Sequence, residues 1–296
     1  MGVPTQTSRW IYDLDTVKSS YAHSIKTPKL LLVSGSNTLY GISCQMIQEE
    51  TGVPCINTAL TQELGLDYIL THARTFAKAG DTILMPLEYQ LYTSDGKPSD
   101  LLIDYVFAYA PDYLKSTKLL SQIRLVGGIS FERLTQGMVA KFKPLQLKNT
   151  DKSRINQNGD VTDNGKDKMA EDQYNAMAAW NPFNLGSYKI TNYSKKEILK
   201  FIYWCKKNNI NIVSTWPSTV SFDAYQQPKS QDFFQSIEDF YQSIHVPVIG
   251  TPRDFLYDKS LFFNSTYHLN DVGRCQRTRQ IIELIKPYLN SMADRT

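Results

Sequence analysis

Long apolar runs are missing from this chain of 296 residues. None approaches the ~18 consecutive apolar residues that a membrane-spanning helix needs. Cysteine is scarce as well. Cys44, Cys55, Cys205 and Cys275 are too few for a disulfide scaffold and lack metal-ligand spacing. Unpaired buried thiols are the expectation, with a local Cys44–Cys55 bridge as the alternative. No charge sign dominates: 32 basic and 29 acidic side chains leave +3, a balance that demands neither nucleic acid nor an anionic membrane as partner. The residues after Met1 lack the charged and apolar regions of a signal peptide. No internal repeat is visible. What is present is a hydrophobic content of 42%, enough for a globular chain to bury a full core.

The apolar pattern alternates between short continuous runs and helical spacing, which predicts an α/β sheet with crossover helices. Residues 30–33 ("LLLV"), 54–60 ("PCINTAL"), 82–87 ("TILMPL"), 210–217 ("INIVSTWP") and 246–250 ("VPVIG") read as strands buried on both faces. Helical periods follow over residues 39–50, 66–76, 99–142 (interrupted at Gly127-Gly128) and 232–244, and in the last part of the chain. Ser194 with Glu197 has capping-box spacing. Between residues 145 and 173 Asn, Asp, Lys and Gly replace large apolar residues, which predicts a loop with little share in any core. Strand–helix alternation continues beyond it. The expectation is therefore one domain over residues 1–296, with a polar insertion or lid at residues 145–191.

In a parallel sheet, ligands sit beyond the carboxyl ends of the strands. Ser36, in "LLLVSGSNTLYGI" (residues 30–42), follows the first strand at a helix N-terminus, where a nucleophile and oxyanion-stabilising amides can coincide. A serine there is more often a plain helix cap. Of the four histidines, His23, His72 and His245 read as structural or solvent-facing. His268, in "NSTYHLNDVG", lies between the last strand and the last helix on the same sheet edge as Ser36. A serine and a histidine so placed form a nucleophile–base pair. Arg274, Arg277 and Arg279 read as a solvated helix face, and Trp180, Phe183 and Tyr188 as packing residues more than sugar platforms.

"GSNTLYGI" and "NSTYHLN" together resemble the SGNH/GDSL hydrolase superfamily, in particular its bacterial polysaccharide-modifying, O-acetyl esterase or acetyltransferase-like branches. The resemblance spans most of the chain outside the insertion. It implies a three-layer flavodoxin-like α/β fold with a parallel sheet of about five strands. It implies ester hydrolysis or O-acetyl transfer on a glycan or cell-envelope polysaccharide, with Ser36 as nucleophile, His268 as base and Asn264 in the orienting position that usually holds an acid; Asp254, Asp258 and Glu88 are the alternative sources of that acid. Asn37, Asn57, Gly65, Glu88 and Tyr89 are the corresponding oxyanion or substrate-binding candidates. No metal and no organic cofactor is implied, nor a nucleic-acid partner. The setting implied is extracytoplasmic, periplasmic or at the cell envelope, with any membrane tether absent from this chain. The alternative is a catalytically degenerate protein of that fold that binds glycan or assists polysaccharide assembly.

Overall fold

The computed structural model describes residues 2–142, 146–148 and 152–293. In chain order its strands are β1 (Leu30–Leu32), β2 (Cys55–Asn57), β3 (Thr82–Met85), β4 (Asn211–Thr215) and β5 (Thr219–Val220). There follow β6 (Val248–Ile249), β7 (Leu256–Tyr257), β8 (Phe262–Ser265) and β9 (His268–Leu269). Five of them make one parallel sheet in the order β2-β1-β3-β4-β6. All five lie inside the apolar runs read as strands. Side chains alternate between the two faces of a strand, yet every residue of β1, β2 and β3 is buried. Both faces are therefore covered, in a helix–sheet–helix sandwich. The chain runs outward in opposite directions from β1 and β3, which makes their carboxyl ends the switch point of the sheet.

The helices α1 (Gln6–Ser24), α2 (Ser36–Gly41), α3 (Cys44–Thr51) and α4 (Gly65–Phe76) surround the first half of the sheet. The helical period over residues 39–50 divides into α2 and α3. Its break has a tertiary cause: Asn57 Nδ2 takes the carbonyls of Thr38 (3.1 Å) and Ile42 (3.3 Å), and Ile42 is extended. Ser43 then caps α3 by accepting from Met46 N. Further on, Thr191 and not Ser194 caps the helix Asn192–Lys207, its side chain accepting from Ser194 N. The zone 99–142 holds the helices Asp100–Tyr109, Pro111–Ser116, Leu119–Gly127 and Phe131–Phe142. Residues 178–190 are irregular apart from the 3-10 turns Met177–Ala179 and Leu185–Ser187, and between and after these turns Trp180, Phe183 and Tyr188 pack on the core.

The polar segment departs most from its sequence reading. Position 145 and residues 149–151 lie outside the described residues. From residue 152 onward, however, the segment is built into the fold. Ile155 and Val161 pair across an antiparallel bridge and join a second apolar cluster with α1 and the helix Asp100–Tyr109. Asn158, Asp160 and Asn164 are buried. Asn158 O accepts from Asn57 N (2.8 Å) at the open edge of β2. Asp160 closes the N-terminus of α3, accepting from Cys44 N (2.9 Å), Gln45 N (3.0 Å) and Ser43 Oγ (3.1 Å), and also from Asn57 Nδ2 (3.2 Å). A carboxylate there satisfies amides that the helix cannot and lies at the positive end of its dipole. Lys18 of α1 is buried and completes the clasp, with Nζ 2.6 Å from both Asn57 O and Gly159 O. Burial lowers its pKa to about 7, against the pull of Asp160 and Asp15. Gly159 has φ +85°, and a Cβ there would meet Asn57 O at 2.6 Å. The segment is thus polar because its work is hydrogen bonding.

Cys44 and Cys55 form a disulfide that ties the start of α3 to β2, so unpaired thiols are found only at Cys205 and Cys275.

Candidate active site

The turn between β1 and α2 is held from beneath by one carboxylate. Glu88, fully buried just beyond β3, accepts from Gly35 N (3.0 Å) and Asn37 N (3.0 Å) and lies 2.8 Å from Ser34 Oγ. A Cβ at Gly35 would meet Gln62 N at 2.5 Å and Glu88 Oε1 at 2.6 Å, so only glycine lets the turn pass between them. The amides on either side of Ser36 thus point to Glu88. Among the described residues, neither Ser36 N–H nor Ser36 Oγ has a hydrogen-bond partner. The serine is half-buried at the first position of α2 and does not act as the cap, a place held by Gly35.

Asn37 is saturated. Its Nδ2 donates to Ser34 Oγ and Pro86 O (both 2.9 Å), and its Oδ1 accepts from Arg277 (3.0 Å). Arg277, fully buried on the last helix (Asp271–Ala293), also donates to Asn37 O, Ser218 Oγ and Trp216 O. Burial lowers its pKa to about 10, opposed by Tyr257, Glu88 and Tyr89. Gly41 makes room for it, since a Cβ there would lie 2.6 Å from Arg277 Nη1. The reading of Arg277 as a solvated residue is therefore wrong. It is the buried cation that faces Glu88 beneath the serine turn. A signal existed: Arg277 lies four and eight residues before the buried Ile281 and Ile285, on the core-facing stripe. Arg274 donates to Val161 O, and Arg279 alone of the three is exposed.

The remaining oxyanion and substrate-binding expectations are corrected by geometry. Asn57 is fully buried, with Nδ2 on the carbonyls that break α2 from α3 and Oδ1 accepting from Ala59 N (3.2 Å). Gly65 donates its N–H to Gln62 O and lines a separate cleft with Pro98, Tyr113 and Tyr193. Glu88 is a clamp for the turn. Tyr89 is a fully buried core ring between Phe233, Phe234 and Tyr267. None of these side chains has a group free for a ligand except the unpartnered Tyr89 hydroxyl, which is enclosed in the core.

His268 and Asn264 are a different case. They face each other across the β8–β9 hairpin, and His268 Nδ1 lies 2.7 Å from Asn264 Oδ1. A carbonyl oxygen only accepts, so Nδ1 carries the proton and Nε2 keeps its lone pair. Nε2 has no hydrogen-bond partner among the described residues. The imidazole stacks on Tyr40, ring centroids 4.2 Å apart at 16°. Tyr40 is four residues after Ser36, on the same face of α2 and one turn along. The hairpin thereby brings His268 to the Ser36 side of α2, though no direct Ser36–His268 hydrogen bond forms. Burial pushes the imidazole down to about 4, with no carboxylate beside it to oppose the shift. The ring is neutral at pH 7.

Beside Asn264 and Tyr40 opens a cleft of about 800 Å³, whose lining includes neither Ser36 nor His268. Tyr40, Phe263 and Asn264 form one side, Gln6, Trp10 and Leu14 of α1 another, and the polar segment the third, through Arg154, Asp163 and Lys168. Arg154 pairs with Asp163 at 3.2 Å. The segment expected to be an insertion or lid is a wall of this cleft. Compared with protein-family models and with curated proteins, the chain matches none of either.

Proposed function

We propose that the protein is an SGNH-type ester hydrolase or O-acyltransferase of flavodoxin-like topology, acting on an acylated glycan or cell-envelope polysaccharide. The observation that carries this reading is the Asn264–His268 hydrogen bond. It sets the base tautomer of an imidazole stacked one helical turn from a serine whose hydroxyl and amide are both free. In the reaction, Ser36 Oγ attacks the ester carbonyl and its proton passes to His268 Nε2. The tetrahedral oxyanion takes the Ser36 N–H. The C–O bond to the alcohol breaks, and His268 returns the proton to the departing oxygen. Water or a sugar hydroxyl then attacks the acyl-serine with the roles of His268 repeated. Asn264 orients the ring but adds no charge to offset the imidazolium. With the free base poised near 4, proton transfer from serine is poorly matched to neutral pH. Slow turnover is the expected consequence. The polar rim and the Trp10 and Tyr40 rings of the cleft suit a carbohydrate, and the Cys44–Cys55 disulfide suits an oxidising, extracytoplasmic setting.

The same low imidazole pKa favours a second reading, a glycan-binding descendant that no longer turns over. A fluorophosphonate probe separates the two. One adduct at Ser36, lost in Ser36→Ala, is the expected result. An unlabelled protein that still binds acetylated polysaccharide would replace the enzyme by the binding protein.

A further inference from the structure

The helices Leu119–Gly127 and Phe131–Phe142 carry apolar arcs that no described residue covers. On the first, Leu119, Leu120, Ile123 and Val126 fall within about a third of the helical circumference. All are at least half exposed, Leu119 at 70%. On the second, Phe131, Leu134, Met138, Val139 and Phe142 share one arc, with Phe131 80% and Phe142 91% exposed. Nine of the fourteen exposed large hydrophobic side chains of the described residues lie on these two helices. Each helix is anchored by its other side. Leu125 is buried in the cluster that holds Leu102 and Ile103. Arg133 pairs with Asp104 and donates to Val3 O. The apolar arcs are therefore the outward faces of two docked helices.

Charge says what fits them. Residues 111–142 contain Lys115, Lys118, Arg124, Arg133 and Lys141 against Asp112 and Glu132. Lys115 pairs with Asp112 and Arg133 with Asp104, which leaves Lys118 and Arg124 without a carboxylate partner among the described residues. Lys115, Lys118 and Arg124 are exposed. Exposed positive charge thus borders the exposed apolar side chains. We propose that these two helices form a peripheral docking face for an anionic lipid bilayer. Leucine, isoleucine and phenylalanine enter the boundary between headgroups and acyl chains, and lysine and arginine meet the lipid phosphates. A second copy fits less well, because a two-fold contact would set the same basic rim against itself. No described helix is long and apolar enough to cross a membrane, so the association is peripheral. The face adjoins the cleft beside Asn264. Gln6 lines both that cleft and the groove formed by Val139, Ala140 and Leu147. The proposal stands independently of any esterase activity.

The experiment is co-sedimentation of the full chain with phosphatidylcholine vesicles, with and without about one third phosphatidylglycerol, at low and high salt. The expected result is pelleting with the anionic vesicles, weakened by salt. The Leu120→Glu/Phe131→Asp variant should bind at least about tenfold more weakly, and Lys115→Glu/Lys118→Glu should lose the preference for anionic lipid. Circular dichroism and melting checks that both variants keep the wild-type fold. Failure of the wild type to pellet with anionic vesicles would overturn the proposal. So would a wild-type dimer in solution that Leu120→Glu/Phe131→Asp converts to monomer without change in vesicle binding, since the face would then belong to a second copy.

Discussion

Two neighbouring regions reverse the usual relation between composition and burial. Residues 152–168 are rich in Asn, Asp, Lys and Gly, yet Asn158, Asp160 and Asn164 are buried and hold the edge of β2 and the start of α3. Residues 119–142 are rich in Leu, Ile, Val and Phe, yet most of those side chains face solvent. The difference teaches that hydropathy measures the cost of leaving water, not the availability of a partner. A polar segment is buried where unpaired backbone groups wait for it, as at the N-terminus of α3. An apolar arc stays outside when the opposite side of its helix already fills the contact with the core.

The comparison breaks first at Asp160. Asp160→Ala leaves the Cys44 and Gln45 amides and the Ser43 hydroxyl short of an acceptor, and takes one of two carboxylates away from the buried Lys18. Unfolding free energy should fall by about 3–5 kcal/mol, read by denaturant titration. A loss below about 1 kcal/mol would return the segment to the status of a surface loop. Next in size is Gly159→Ala, which forces a side chain into a left-handed conformation and against Asn57 O. A loss of about 2–3 kcal/mol is expected, and an unchanged melting temperature would mean that the clasp with Lys18 does not form.

The third effect is on rate, at the cleft whose wall the buried polar segment supplies. In Asn264→Asp a carboxylate stabilises the imidazolium and raises the His268 pKa. On the proposed mechanism the base works when neutral, so the rate of ester cleavage should rise with pH through that pKa and be level above it. The wild-type inflection is expected near 4. The variant's should move to higher pH, with a plateau rate on nitrophenyl acetate at least about tenfold greater. An identical pH profile in both proteins would separate Asn264 from the chemistry and leave the polar wall a purely structural role. The smallest effect belongs to the exposed helices. Phe131→Asp should change stability by no more than about 0.5 kcal/mol, because the ring is already in water. A drop of 2 kcal/mol or more, read by the same titration, would show that the apolar arc packs against something in the folded chain, and the contrast between the regions would vanish.

Much of this was legible in advance. The five strands of the main sheet lie in the five apolar runs, because a strand covered on both faces must be apolar throughout. Ser36 was placed at a strand–helix junction by local pattern, and His268 with Asn264 by their spacing of four, which a tight hairpin converts into a hydrogen bond. Glu88, Asn37 and Asn57 were misread for a shared reason. Each is a polar residue near a strand's carboxyl end, and sequence distance does not tell a side chain that reaches a ligand from one that ties the turn. Glu88 serves amides more than fifty residues earlier, and Arg277 reaches Asn37 across 240.

By itself, then, the sequence determined the alternation of strands and helices, the parallel sheet that this alternation requires, and the residue types available at its carboxyl edge. These follow from periodicity and turn chemistry, which act over a few residues. Only the tertiary structure decided which polar groups are saturated and which remain free. Hydrogen-bond satisfaction is set by whichever partner the fold brings within about 3 Å. That is why Asn37 and Glu88 are committed to the turn beneath Ser36, why Asp160 is committed to α3, and why the serine and the histidine still have a free donor and a free lone pair.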